Sequence, residues 1–149
     1  MTIEVLPFSE QVRAATVDLL TGTASSAGIK LQVYRGRPRS INPPTALIDV
    51  FRETFDDYTG VIWAARHIRV EVMVLFGLFD SGEAVDQRDR FVDRFYEHVL
   101  PLYHIAGGNS TFALVEIQDD PTYVPDWQVP EDQRTYFGTR ISLEAFARG

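Results

Sequence analysis

From Ile68 to Leu78 the chain alternates with a period of two. Ile68, Val70, Val72, Val74, Phe76 and Leu78 share one parity, and Arg69, Glu71, Met73 and Leu75 share the other. Side chains of a strand point to opposite faces at every step, so this pattern predicts a long strand with one fully apolar face. A strand of that kind needs neighbours on both sides and a layer packed over it, which makes it the expected centre of a sheet.

The rest of the chain supplies candidates for both. Upstream, Ser9 and Glu10 begin a segment in which Val12, Ala15, Leu19 and Leu20 fall on one helical face, and Ser9 is the expected N-cap. This helix is expected to fade over Thr21 to Ser26 and to stop before Gly28, which suits the left-handed turn that closes helices. Ile29, Leu31 and Val33 then alternate with Lys30, Gln32 and Tyr34, predicting a strand. Residues 35–44, RGRPRSINPP, are read as a loop, because proline lacks the ladder donor and restricts its predecessor. Residues 45–58 fit both periods: Leu47, Phe51, Phe55 and Tyr58 would line a helix, whereas the content of Thr, Val, Ile and Phe favours a strand. Downstream of the central strand, Asp80 and Glu83 resemble a capping box, followed by the stripe Val85, Phe91, Val92, Phe95, Val99 and Leu100, with Pro101 helping to end the helix. Gly107 and Gly108 mark a turn. Residues 112–118 and 136–145 read as two further strands around a long loop, 119–135.

This order, with short links between strands, predicts an α+β fold: a mostly antiparallel β-sheet of about five strands with two main helices packed on one face. A length of 149 residues, with no repeat and no linker, fits one domain spanning 1–149. The absence of cysteine excludes a disulfide scaffold, a thiolate metal site and a cysteine nucleophile. A net charge of −7 makes nucleic acid and anionic membranes poor partners. The N-terminus lacks the basic and apolar blocks of a signal peptide, and no apolar run reaches the ~20 residues of a membrane span, so the chain reads as cytosolic.

Chemistry-bearing motifs are scarce. His67, His98 and His104 do not stand at metal-binding helical spacing, and the acidic pairs Asp56-Asp57 and Asp119-Asp120 lack the regular ligand spacing of a calcium loop. There is no phosphate loop and no serine elbow. The chain is therefore read as a non-enzyme without metal or cofactor. Three features are suited to contacts instead. Arg35, Arg37 and Arg39 concentrate positive charge in the proline-stiffened loop, which fits acidic groups on a partner or simply a solvated loop. The long downstream loop carries Tyr123 and Trp127 among three prolines, either as interface anchors or as a flap over the sheet. On the second helix, Asp86, Arg90 and Arg94 belong to a mixed-charge face, in which Asp86 can pair with Arg90 and Arg94 with Glu97. That face reads as a solvated surface or as a self-complementary subunit contact.

Taken together, VRAATVDLLTG, IKLQVYRGRPRSINPPTALIDV, RVEVMVLFGLFDSGEAVDQRDRFVDRFYEHV and YFGTRISLEAF resemble the tail terminator (minor tail) proteins of long-tailed bacteriophages, over residues 8 to 146. The most telling stretch is 68–99, the valine-rich strand that runs through Gly77 and Asp80 into a helix with an aspartate–arginine repeat. The resemblance implies a structural viral subunit forming a hexameric ring at the neck end of the virion tail, assembled in the host cytoplasm. Such a ring stops polymerisation of the tail tube protein and offers a docking surface to head-tail connector or neck proteins, while DNA passes its channel without sequence-specific binding. The alternatives are another head-tail connector, or a small ligand-binding domain or enzyme.

Overall fold

The computed structural model describes residues 7–56, 65–78, 81–103, 114–127 and 134–148. Among these residues seven elements follow one another: α1 (Phe8–Ser26), β1 (Gln32–Tyr34), β2 (Thr45–Asp56), β3 (Ala65–Leu78), α2 (Gly82–Tyr103), β4 (Leu114–Tyr123) and β5 (Tyr136–Arg148). The strands form one sheet in the order β1-β2-β3-β5-β4, antiparallel throughout except that β1 runs parallel to β2. The expected α+β architecture is therefore present, and the alternating segment is its middle strand.

One face of the sheet carries both helices. Ile68, Val70, Val72, Val74 and Phe76 of β3, with Ile141, Leu143 and Ala145 of β5 and Ala46 and Ile48 of β2, pack against Val12, Leu19 and Leu20 of α1 and Phe91, Phe95 and Val99 of α2. Phe76 meets Phe91 edge-on at 5.6 Å between ring centroids, and Phe91 stacks on Phe95 at 6.2 Å. Each large side chain buried here contributes about 1.5–3 kcal/mol, so this layer is the main source of stability.

Local chemistry sets where the elements begin and end. Helix α1 closes in a Schellman turn: Gly28, at φ 72°, donates to Ser25 O at 3.2 Å, and Ile29 donates to Ala24 O at 2.9 Å. That bond ties Ile29 to the helix end, which is why the strand expected from residue 29 is only Gln32–Tyr34. The helix also does not fade over Thr21 to Ser26, because Thr23 is buried there and donates to Leu19 O at 2.7 Å. Ser9 is not the N-cap. Pro7 holds that position, its carbonyl accepting from Gln11 N at 3.0 Å, and Ser9 lies in the first turn.

For α2 the cap is Ser81, whose Oγ accepts from Ala84 N at 3.4 Å, and Asp80 lies outside the described residues. Pro101 does not end this helix, which runs on to Tyr103. A proline in the last turn gives up one hydrogen bond near an end where carbonyls are already unpaired. Val85 is 40% exposed, the buried contact of that turn being made by Ala84 instead. Residues 119–123, expected in a loop, extend β4 along β5 as far as the Tyr123–Tyr136 pair. The Gly107-Gly108 turn, Tyr58 and Phe112 lie outside the described residues.

Residues 45–56 are a strand, and a bulge explains their double periodicity. Ile48 pairs with Val72 but Val50 pairs with Glu71, so Asp49 is the extra residue and parity reverses there. Ala46 and Ile48 face the helices before the bulge, and Phe51 does after it, under the Arg13 guanidinium at 3.9 Å. A second irregularity at Phe76 turns Leu78 off the helix-covered face, leaving it 46% exposed.

The opposite face is divided. Towards one end it is polar, with Arg52, Thr54, Arg69 and Glu116 on neighbouring strands. Towards the other end, Leu47, Met73, Leu75, Tyr123 and Tyr136 form a second buried cluster, against which Tyr34, Ile41 and Trp127 pack. Part of its cover is a consequence of topology. A parallel neighbour cannot be reached by a hairpin, so the chain between β1 and β2 must return past the sheet, and residues 35–44 do so with Ile41 inward.

Candidate functional site

The two loops singled out in the sequence meet over this second cluster. Arg37 Nε donates to Asp49 Oδ1 at 3.0 Å, Arg37 Nη1 lies 3.7 Å from Asp126 Oδ1, and its guanidinium carbon stands 4.9 Å from the centroid of the Trp127 ring. The indole returns the contact, with Nε1 donating to Pro38 O at 3.0 Å. Tyr123 lies beneath, its ring centroid 6.4 Å from that of Trp127. Arg37, Tyr123 and Trp127 are thus brought together, with Trp127 packed over the sheet, as the flap reading of the downstream loop expects, and Val124 and Asp126 exposed beside it.

Each position has a local cause. The bulge in β2 turns Asp49 to this face, where it is 15% exposed and can hold Arg37. The extension of β4 to Tyr123 carries the chain to the edge of the cluster before it turns at Asp126 and Trp127. Burial pushes the Tyr123 phenol well above its ordinary value; the Asp49 carboxylate adds to this, and Arg37 opposes it. Beside these residues opens a cleft of about 410 Å³ that also meets Asp120 and Arg140, themselves 3.4 Å apart. Asp49 and Arg140 were not singled out in the sequence, and Asp120 was considered there only as half of the acidic pair Asp119-Asp120. Asp49 had one usable signal, an acid at the point where the alternation of residues 45–56 changes phase.

The Arg37 contacts are individually modest. Its side chain is 43% exposed, and exposed ion pairs contribute about 0–1 kcal/mol, as do exposed cation–π contacts. Their joint effect is geometric, because one planar group fixes a strand, a turn and an indole at once.

The other expected contact residues are dispersed. Arg35 is ion-paired with Glu10 of α1, and Arg39 is exposed on the loop. Arg94 pairs with Glu97 at 3.1 Å as its spacing suggests, but Arg90 Nη1 donates to Ala27 O at 3.3 Å, at the end of α1, and Asp86 is exposed. Arg88, which the sequence did not single out, links α2 to β4 through Asp119.

No family model and no curated protein matches the chain.

Among the described residues no three His, Asp or Glu side chains gather as metal ligands, and no helix is long and apolar enough to cross a membrane. His67 Nε2 lies 3.6 Å from Glu144 Oε1 on the polar half of the sheet, and His98 is exposed on α2. His104, Asp57 and the side chain of Asp56 lie outside the described residues. The arrangement over the second cluster is suited to presenting a fixed surface: an arginine with further donors, an exposed carboxylate and an exposed valine, held on a sheet.

Proposed function

We propose that this chain is a structural subunit of the tail terminator kind, assembling as a ring on the end of a phage tail tube, stopping its growth and offering the surface to which the head docks. The observation that carries this reading is the clasp of Arg37 and Trp127, which makes one stiff ledge of two proline-rich loops. A surface ordered before it meets a partner loses less conformational freedom on binding. The reading draws further support from where the resemblance falls. Residues 68–99 contribute the central strand and the helix packed on it, and residues 136–146 the strand beside them, so the stretches that resemble tail terminators form the frame of the subunit.

The test is electron microscopy of the protein mixed with cognate tail tubes. Added density at one end of each tube, with arrested elongation, is the expected result. Bare ends and unchanged tube lengths would overturn the reading. Binding to portal-bearing heads but not to tubes would identify another neck protein instead.

A further inference from the structure

We infer that the cleft beside the Arg37–Trp127 clasp receives a basic side chain, arginine or lysine, projected by a different protein. The inference rests on the ledge being a partner-facing surface, and it adds the chemistry of the group that the ledge takes in.

The cleft, of about 410 Å³, lies where the two loops meet β2, β4 and β5. Its lining holds three carboxylates, Asp49, Asp120 and Asp126, and two guanidiniums, Arg37 and Arg140. Both guanidiniums are already engaged within the chain. Arg37 Nε donates to Asp49 Oδ1 at 3.0 Å, its Nη1 lies 3.7 Å from Asp126 Oδ1, and Arg140 Nη2 donates to Asp120 Oδ2 at 3.4 Å. Three acids against two bases leave one formal negative charge. The other arginines of the same loop do not cancel it, since Arg35 is paired with Glu10 of α1 and Arg39 does not line the cleft. The excess is also within reach of a guest, because the Asp126 side chain is 80% exposed. A carboxylate accepts several donors at once, so the one long contact with Arg37 leaves Asp126 with acceptor capacity to spare.

Tyr123 supplies a second, independent observation. It is 8% exposed and lines the cleft, yet its phenol makes no hydrogen bond among the described residues. Its ionisation responds to Asp49, Arg37, Asp126 and Arg140 together, which places the hydroxyl among these four charged groups. Buried polar groups are ordinarily hydrogen-bonded, so a hydroxyl left open on the cleft side is one that a guest can satisfy. A cationic head group does so, its N–H groups donating to the phenol oxygen and to Asp126 at once. Val124, exposed beside Asp126, is placed to cover the methylene stem that arginine and lysine carry behind their charge. An anionic guest would reach Arg37 and Arg140 only against the three carboxylates that surround them. A second copy of this chain is a poor source of the cation, because it arrives with a net charge of −7.

Titration of the isotopically labelled full chain with N-acetyl-arginine methylamide at constant chloride, followed by nuclear magnetic resonance, tests this. The amides of Asp49, Asp120, Tyr123 and Val124 are expected to shift saturably, with a Kd on the order of millimolar for so small a probe. The neutral isostere N-acetyl-citrulline methylamide should move them little. Tyr123→Phe, which keeps the packed ring, is expected to weaken binding by about fivefold, and Asp126→Asn by about threefold. Equal binding of the citrulline probe, no saturable shift at the cleft, or an affinity unchanged in both variants would overturn the inference. Methylguanidinium binding as tightly as the arginine probe would show that stem and backbone contribute nothing, and would overturn the assignment to a protein side chain. The same amides shifting on concentration of the chain alone would make a second copy the occupant and overturn it likewise. Probe binding by a chain that leaves tail tubes bare would overturn the terminator reading and keep the cleft. Tubes capped by a chain that does not bind the probe would do the reverse.

Discussion

Arg37 touches three residues on two distant chain segments at once, which gives it an influence out of proportion to any one of its contacts. Trp127→Ala removes an indole packed on the second cluster together with its bond to Pro38. A fully buried aromatic truncation costs about 3–5 kcal/mol, and for this partly covered ring a loss of about 2 kcal/mol is expected, read as a lower urea midpoint. Arg37→Ala should cost about 1 kcal/mol, and the double variant less than the sum, because the two groups support each other. Strict additivity would mean that they act independently. Tyr123 gives a second readout. Its phenol is held protonated in the fold above the ordinary value of 10.0, so the associated stability is complete below pH 10.0 and is lost as pH rises towards the folded value. Ultraviolet titration of the folded protein should show a late-ionising component that Tyr123→Phe diminishes, while Tyr136, also raised by burial, retains a share of it. The ingredients of this site were legible in the sequence as two proline-rich segments with arginine and aromatics. Their union was not, since Trp127 and Pro38 are 89 positions apart and nothing local records the contact.

At the scale of elements, regular alternation was decisive where it was unbroken and misleading where a bulge interrupted it. The central strand was readable from its parity alone, but Asp49 shifts the phase of β2 and made one strand look like two periods. Leu78 departed from its expected face for the same reason. Helix ends were read less well, because Ser9 and Asp80 are good caps in composition while Pro7 and Ser81 hold the positions. Ser81→Ala should therefore lower stability by about 1 kcal/mol, whereas Ser9→Ala should do little; equal effects would contradict the assigned cap. Close strand packing gives a stronger test. A Cβ at Gly138 would overlap the Val74 carbonyl oxygen and lie 3.0 Å from both Leu75 Cδ2 and Met73 Cε. Gly138→Ala is expected to cost about 1–3 kcal/mol, since backbone cannot yield as a side chain does. An unchanged denaturation midpoint would show that β3 and β5 separate freely at that point.

For the whole molecule, charge sets the conditions under which copies can meet. Every subunit brings a net charge of −7, so association works against a repulsion that grows with each copy added. Light scattering should find mainly monomer in dilute low-salt buffer, and a shift to larger closed species with salt, millimolar Mg²⁺ or higher protein concentration, because screening shortens the range of repulsion to about 8 Å at physiological ionic strength. Oligomers that dissociate as salt is raised would instead show that attraction between opposite charges dominates. The fold also carries a clock. Among the described residues β5 is the last element to leave the ribosome, yet it lies between β3 and β4, and β4 has no other strand beside it. A nascent chain halted before Tyr136 thus has a central strand without its β5 partner, and a β4 that keeps its Arg88–Asp119 link to α2 but lacks the β5 ladder. Only a polypeptide extended through β5 brings β3 and β4 into one sheet, so translation itself delays the moment at which the two faces of that sheet are whole.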